Sequence, residues 1–132
     1  MNREEFDQLV QDALRTVPRP FRRAMENVAI IVEEEPVPDL LDDVGVEPPG
    51  TLLGLYQGVP LTERSWWAYG NTLPDRITLF QGPLERHARG MRGGLERAIW
   101  ETLVHEIGHY FGMSEEEIAE VETQYWQRRH DG

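Results

Sequence analysis

The chain has no cysteine. Disulfide staples are therefore excluded, and the composition fits a reducing compartment, so cytoplasmic residence is the expectation. It also lacks any apolar run near the ~18 residues that a membrane-spanning helix needs. Its start, Met1-Asn2-Arg3-Glu4-Glu5, is polar and has no apolar stretch of the kind a secretory signal carries. Positive charge is scarce: 13 basic residues stand against 24 acidic ones, for a net charge of −11. Binding to a phosphate backbone needs a basic surface, so neither nucleic acid nor membrane is expected as a partner. The surface of this chain is instead expected to be solvated and acidic, with a mild preference for cationic partners. There is no internal repeat and no second-domain linker. One domain over residues 1–132 is expected, and a chain of this length buries roughly two-thirds of its unfolded surface without staples.

What is present is ordered by hydrophobic periodicity. Phe6, Leu9, Val10, Ala13, Leu14 and Val17 recur at helical spacing, which predicts a helix over 2–17 with Asn2 and Glu5 as a capping box. Pro18 and Pro20 end it, and Pro20 is suited to open a short helix through Met25. Val28-Ala29-Ile30-Ile31-Val32 reads as a largely buried strand. From 33 to 50 there are seven acidic residues, four prolines and no base, which predicts a solvated connection with a helical turn at Asp39–Asp43. Leu52 to Tyr56 reads as a second strand, with Gly54 at a bulge or a close backbone approach. Trp66, Trp67 and Tyr69 follow on a segment of no clear period. They either line a cleft or interface, or cap the core. Ile77–Gln81 reads as a third strand, ended by Gly82-Pro83, with a short helical turn over Leu84–Arg89. A long helix is then expected from Leu95 to Phe111, and another from Ser114, with Glu117 as its capping-box partner.

The long helix carries the chemistry. Leu95, Ile99, Leu103 and Ile107 form its packing stripe, with Ala98 and Thr102 beside it. The adjoining stripe is Glu101, His105 and His109. Two histidines four apart lie one turn above each other and can hold one zinc ion, and Glu106, directly after the first, can act as general base on a water at that ion. Gly112 follows His109 by three residues, where a chain leaving a helix needs the left-handed conformation. Glu115 follows by three more, where a reversal brings it back toward the metal. It is the choice for third ligand over Glu116, Glu120 and Glu122, and it equally suits the first turn of the next helix. His87 and His130 lack such context and read as surface histidines, His87 being the likelier exception because it shortly precedes the site helix.

The string His105-Glu106-Ile107-Gly108-His109-Tyr110-Phe111-Gly112-Met113-Ser114-Glu115 resembles the extended zincin motif. Together with Leu52–Leu61 and Ile77–Phe80, it is most similar to the small bacterial minimal-zincin (mini-zincin) metallopeptidase-like group. That resemblance implies an α+β fold, with a small, about three-stranded sheet packed on the N-terminal, site and C-terminal helices. It also implies a zinc or related divalent site. In that group the position of Glu115 is usually aspartate, so this ligand is one methylene longer. No methionine follows Glu115, so the methionine turn of larger zincins has no counterpart here.

The expected function is zinc-dependent hydrolysis of a peptide or protein substrate. His105, His109 and Glu115 are the expected metal ligands and Glu106 the catalytic base. The strand Ile77–Gln81 is the expected edge for an extended peptide. The rival expectation is a non-catalytic, metal-stabilised binding protein that meets its partner through the Trp66–Tyr69 loop.

Overall fold

The structure is a computed structural model. It describes residues 1–26, 28–47, 50–58, 75–91 and 93–131, with the side chains of 20, 24 and 125–131 left aside. The Trp66–Tyr69 loop and the side chain of His130 lie outside the described residues.

Helix α1 (Arg3–Arg15) begins where Asn2 caps it, its side-chain oxygen accepting from the Glu5 N–H at 2.8 Å. Phe6, Val10 and Ala13 are its buried stripe. Helix α2 (Arg19–Met25) follows and leads into strand β1 (Val28–Glu33). After β1 the acidic segment forms, among its described residues, the short α3 (Pro38–Asp43), none of whose residues is buried. Strands β2 (Gly54–Gln57) and β3 (Asp75–Phe80) complete a sheet of order β1-β3-β2. β1 runs parallel to β3, with Ile30 opposite Ile77, and β2 runs antiparallel to it, with Tyr56 opposite Ile77. The fold is thus α+β with a small three-stranded mixed sheet, as the resemblance implied.

Two strand expectations need correction. β3 was expected to offer a free edge, but it is the central strand, hydrogen-bonded on both sides. That is why Ile77, Leu79 and Phe80 are fully buried. β1 was expected to be largely buried, yet only Val28 is, because β1 forms one rim of the sheet. In addition, Gly82 and Pro83 do not separate strand from helix. Helix α4 (Gln81–Ala88) starts directly after Phe80, and Pro83 occupies its first turn, where its missing N–H costs nothing.

Helix α5 (Gly94–Tyr110) is the centre of the molecule, and α1, α2, α4, α6, β2 and β3 all pack on it. Ile99, Leu103 and Ile107 are fully buried as the stripe requires. Trp100 and Val104 are buried too, because α1 covers the side that a single stripe would leave wet. The Trp100 indole N–H donates to the Thr16 carbonyl at 3.2 Å, so its polar atom is satisfied. Each such side chain contributes roughly 1.5–3 kcal/mol by leaving water.

β2 reaches α5 through a close approach at Gly54. A Cβ there would stand 2.6 Å from the Thr102 methyl carbon and 3.2 Å from the Thr78 carbonyl oxygen. Thr102 turns its hydroxyl to the Ala98 carbonyl at 2.8 Å. The strand therefore lies flat on the helix one turn before His105. Among the described residues, no helix is long and apolar enough to cross a membrane.

Candidate metal centre

The last turns of α5 and the start of α6 (Glu115–Asp131) bring the metal-ligand candidates together. Gly112 has φ +70°, the left-handed turn expected after the helix. Around it the Met113 N–H donates to the Gly108 carbonyl at 3.0 Å, and the Gly112 N–H to the His109 carbonyl at 3.0 Å. These two bonds satisfy carbonyls that a helix end otherwise leaves open. Ser114 then caps α6. The Glu117 N–H donates to Ser114 Oγ at 3.1 Å, and the Ser114 N–H to Glu117 Oε1 at 3.0 Å. That bond, with the Ser114 backbone N–H foremost, lowers the Glu117 pKa. Glu115 becomes the first residue of the new helix, and the reversal turns its carboxylate back on α5.

The resulting geometry is compact. Glu115 Oε2 is 3.4 Å from His105 Nε2, and Glu115 Oε1 is 3.4 Å from His109 Nε2. The two imidazole centroids are 4.8 Å apart. One ligand atom from each of His105, His109 and Glu115 lies within 4.8 Å of the others. Donors on a tetrahedral zinc at about 2.0–2.1 Å stand roughly 3.3 Å apart, so the nitrogen–oxygen spacing suits such an ion. The outward-facing Nδ1 atoms meet other carboxylates: His105 Nδ1 is 3.8 Å from Glu122 Oε1, and His109 Nδ1 is 3.5 Å from Glu106 Oε2. Glu122 foremost raises the His105 pKa, burial opposes it, and Glu115 and Glu106 add to the rise.

Glu106 is buried, 7% exposed, on the face of α5 turned toward β2. The Tyr56 backbone N–H donates to its carboxylate. Its Oε2 is buried with no hydrogen-bond partner among the described residues. Burial foremost raises its pKa, and the neighbouring His109 and His105 charges offset this only in part. A buried carboxylate oxygen left open beside two imidazoles is costly unless something else occupies the site. The orphaned atom and the convergent His, His, Glu donors together fit a divalent cation.

A cleft of about 480 Å³ opens alongside. Residues 52–56 form one wall, and Ala98, Glu101 and Thr102 of α5 form the other, with His105, Glu106 and His109 at its base. His87 is exposed, as its sequence context suggested, and it also lines the cleft. The Tyr110 ring packs edge-on against Tyr56, centroids 6.1 Å apart. Two contributors were not foreseen. The Tyr56 N–H carries no sequence signal, because any strand residue has one. Glu122 was weighed only as a rival third ligand. Its seven-residue spacing from Glu115 already placed the two on one helical face.

Comparison with known proteins agrees with this geometry. The model of the zincin-like metallopeptidase family matches residues 25–125, and the chain belongs to that family. A solved structure of a conserved hypothetical protein from Thermus thermophilus is similar, with 26% sequence identity and a TM-score of 0.54. The match covers 84% of this chain and 94% of that one. Among curated proteins, none matches. Family membership implies a metal, usually zinc, and the His105, His109 and Glu115 group is the candidate to hold it.

Proposed function

We propose that this protein is a zinc-dependent peptidase acting on an extended peptide or protein segment. One observation carries the reading: the His105, His109 and Glu115 donors converge beside a cleft that is lined by both histidines and by a buried carboxylate with an open oxygen. His105 and His109 would hold the ion through Nε2, and Glu115 through its carboxylate. Zinc so held supplies Lewis acidity, polarising a substrate carbonyl and lowering the pKa of water toward ~7.

Glu106 acts as the general base. Burial raises its pKa above that of an exposed carboxylate, the direction that suits a group that takes a proton and gives it up again. The Tyr56 N–H fixes one end of the carboxylate and leaves Oε2 for the reaction. Oε2 takes the proton from the attacking water as its oxygen bonds to the carbonyl carbon. The same proton passes to the amine nitrogen as the C–N bond breaks. Glu106 then returns to its starting state. The peptide lies along β2, which among the described residues pairs on one side only. β2 takes the role first given to β3. A strand at the rim of a sheet can supply main-chain hydrogen bonds to an extended ligand irrespective of its sequence.

The metal-stabilised binding protein is the weaker reading. A structural zinc site closes with four protein donors, whereas among the described residues three converge, beside an open cleft. The test is zinc analysis of the purified protein followed by cleavage of a peptide library. Glu106→Gln should keep the metal and lose turnover by at least ~100-fold. Undiminished turnover in that variant would remove Glu106 from the mechanism.

A further inference from the structure

The geometry points to Glu122 as a positioning residue that holds the His105 ring by its outer nitrogen, so that Nε2 is presented to the metal. The inference rests on the metal-site reading above and extends it to a residue outside the ligand set.

His105 is flanked by two carboxylates from one helix. Glu115 faces Nε2 at 3.4 Å, and Glu122 faces Nδ1 at 3.8 Å. An imidazole that ligates through one nitrogen is a better and more fixed ligand when the other donates its N–H to a carboxylate. Closing 3.8 Å to a charge-assisted hydrogen bond requires a shift of about 1 Å, within a rotamer adjustment of a glutamate. Glu122 is also held where that is feasible. Its side chain is 20% exposed, against 72% for Glu115, and it lines the cleft.

The helix itself is fixed at the turn between them. Ile118 is 1% exposed and fills the space beside Gly108, one residue before His109. Glu115, Ile118 and Glu122 share one helical face at three- and seven-residue spacing. The packing that seats Ile118 therefore delivers one carboxylate to each side of the His105 ring. His109 has no equivalent partner on the described part of α6. Its Nδ1 faces Glu106 Oε2, the oxygen assigned to proton transfer.

The test uses the full-length chain and Zn²⁺ alone. Zn²⁺ affinity is measured by competition with a chelator for wild type, Glu122→Ala, Glu122→Gln and Glu120→Ala. Glu120 is an exposed acid on the same helix and serves as the charge control. Glu122→Ala should bind roughly 10–100-fold more weakly. Glu122→Gln, which keeps an acceptor, should fall between, and Glu120→Ala should match wild type. In the Zn²⁺-loaded wild type, the His105 Nδ1–H should give a downfield, slowly exchanging proton signal that is lost in Glu122→Ala. Thermal unfolding in chelator shows whether each variant is folded. If Glu122→Ala unfolds, the comparison of Glu122→Gln with wild type decides. Equal affinities, or an equal loss in Glu120→Ala, overturn the proposal. Wild-type protein that binds no Zn²⁺ would instead bring down the metal-site reading itself.

Discussion

Ile118 occupies the space in which a Cβ on Gly108 would stand: its Cγ1 lies 2.7 Å and its Cδ1 2.8 Å from that position. Helix α6 rests on α5 at the absence of a side chain. Gly108→Ala should gain roughly 1 kcal/mol of helix propensity and lose about 1–3 kcal/mol to overpacking. A net destabilisation on the order of 1 kcal/mol is expected in thermal unfolding. Zn²⁺ affinity should fall as well, because Glu115 sits three residues before Ile118 and moves with it. Ile118→Val removes the Cδ1 contact and should recover part of both losses in the double variant, a coupling that a double-mutant cycle measures directly.

Glu115 separates metal binding from folding. Its side chain is 72% exposed, so Glu115→Ala should change stability by no more than about 0.5 kcal/mol. Zn²⁺ affinity should nevertheless drop by at least about tenfold, since only His105 and His109 would remain as donors. Glu115→Asp should lie between the two. Its oxygen falls one methylene short of the position now 3.4 Å from both Nε2 atoms, and α6 has to shift to restore the reach. Affinity by chelator competition, with unfolding in chelator as the control, checks both. An unchanged affinity in Glu115→Ala would remove this residue from the ligand set.

The parts of this architecture legible in the sequence are the local ones. Ile99, Leu103 and Ile107 report their burial through spacing alone, and Ser114 with Glu117 announces the α6 cap three residues apart. Gly112 marks the reversal because no other residue accepts φ +70° at so little cost. What sequence spacing could not supply is non-local. The placing of β3 between β1 and β2 depends on pairings about 20 to 50 residues apart, so which strand takes the centre of the sheet stayed hidden. Gly54 and Gly108 admit Thr102 and Ile118, but a glycine does not say what will approach it. Glu122 had the right spacing from Glu115. Its meeting with His105 Nδ1 became visible only once the helix crossing was fixed.

Protons compete with the metal at His105. A ligating imidazole must be neutral, so binding weakens as pH falls through the pKa of the metal-free site. Glu122, then Glu115 and Glu106, raise that pKa against the lowering effect of burial. Competition should therefore begin above the ordinary ~6.5 of histidine. Zn²⁺ affinity measured from about pH 5.5 to about pH 8.5 should fall steadily toward acid, with its break above that value. A break at or below ~6.5 would show that these carboxylates do not act on the free ring.

Glu106 makes a prediction of the opposite kind, in which the wild-type residue is the less stable one. Burial raises its pKa in the folded chain, so the native state binds this proton more tightly than the unfolded state does. Its contribution to stability is fully present below the unfolded value of ~4.3 and is lost as pH rises through the folded value. Glutamine has nothing to ionise and keeps an oxygen to accept the Tyr56 N–H. Metal-free Glu106→Gln should therefore melt a few degrees above metal-free wild type at about pH 7.5, a gain on the order of 1 kcal/mol. The two should converge near about pH 4, where wild-type Glu106 is largely protonated in both states. Saturating Zn²⁺ should narrow the gap at the higher pH, because a nearby cation favours the ionised carboxylate. Thermal unfolding in chelator and in Zn²⁺ at both pH values tests all three statements. A variant that melts below wild type at the higher pH without metal would mean that the buried charge is already compensated by the protein.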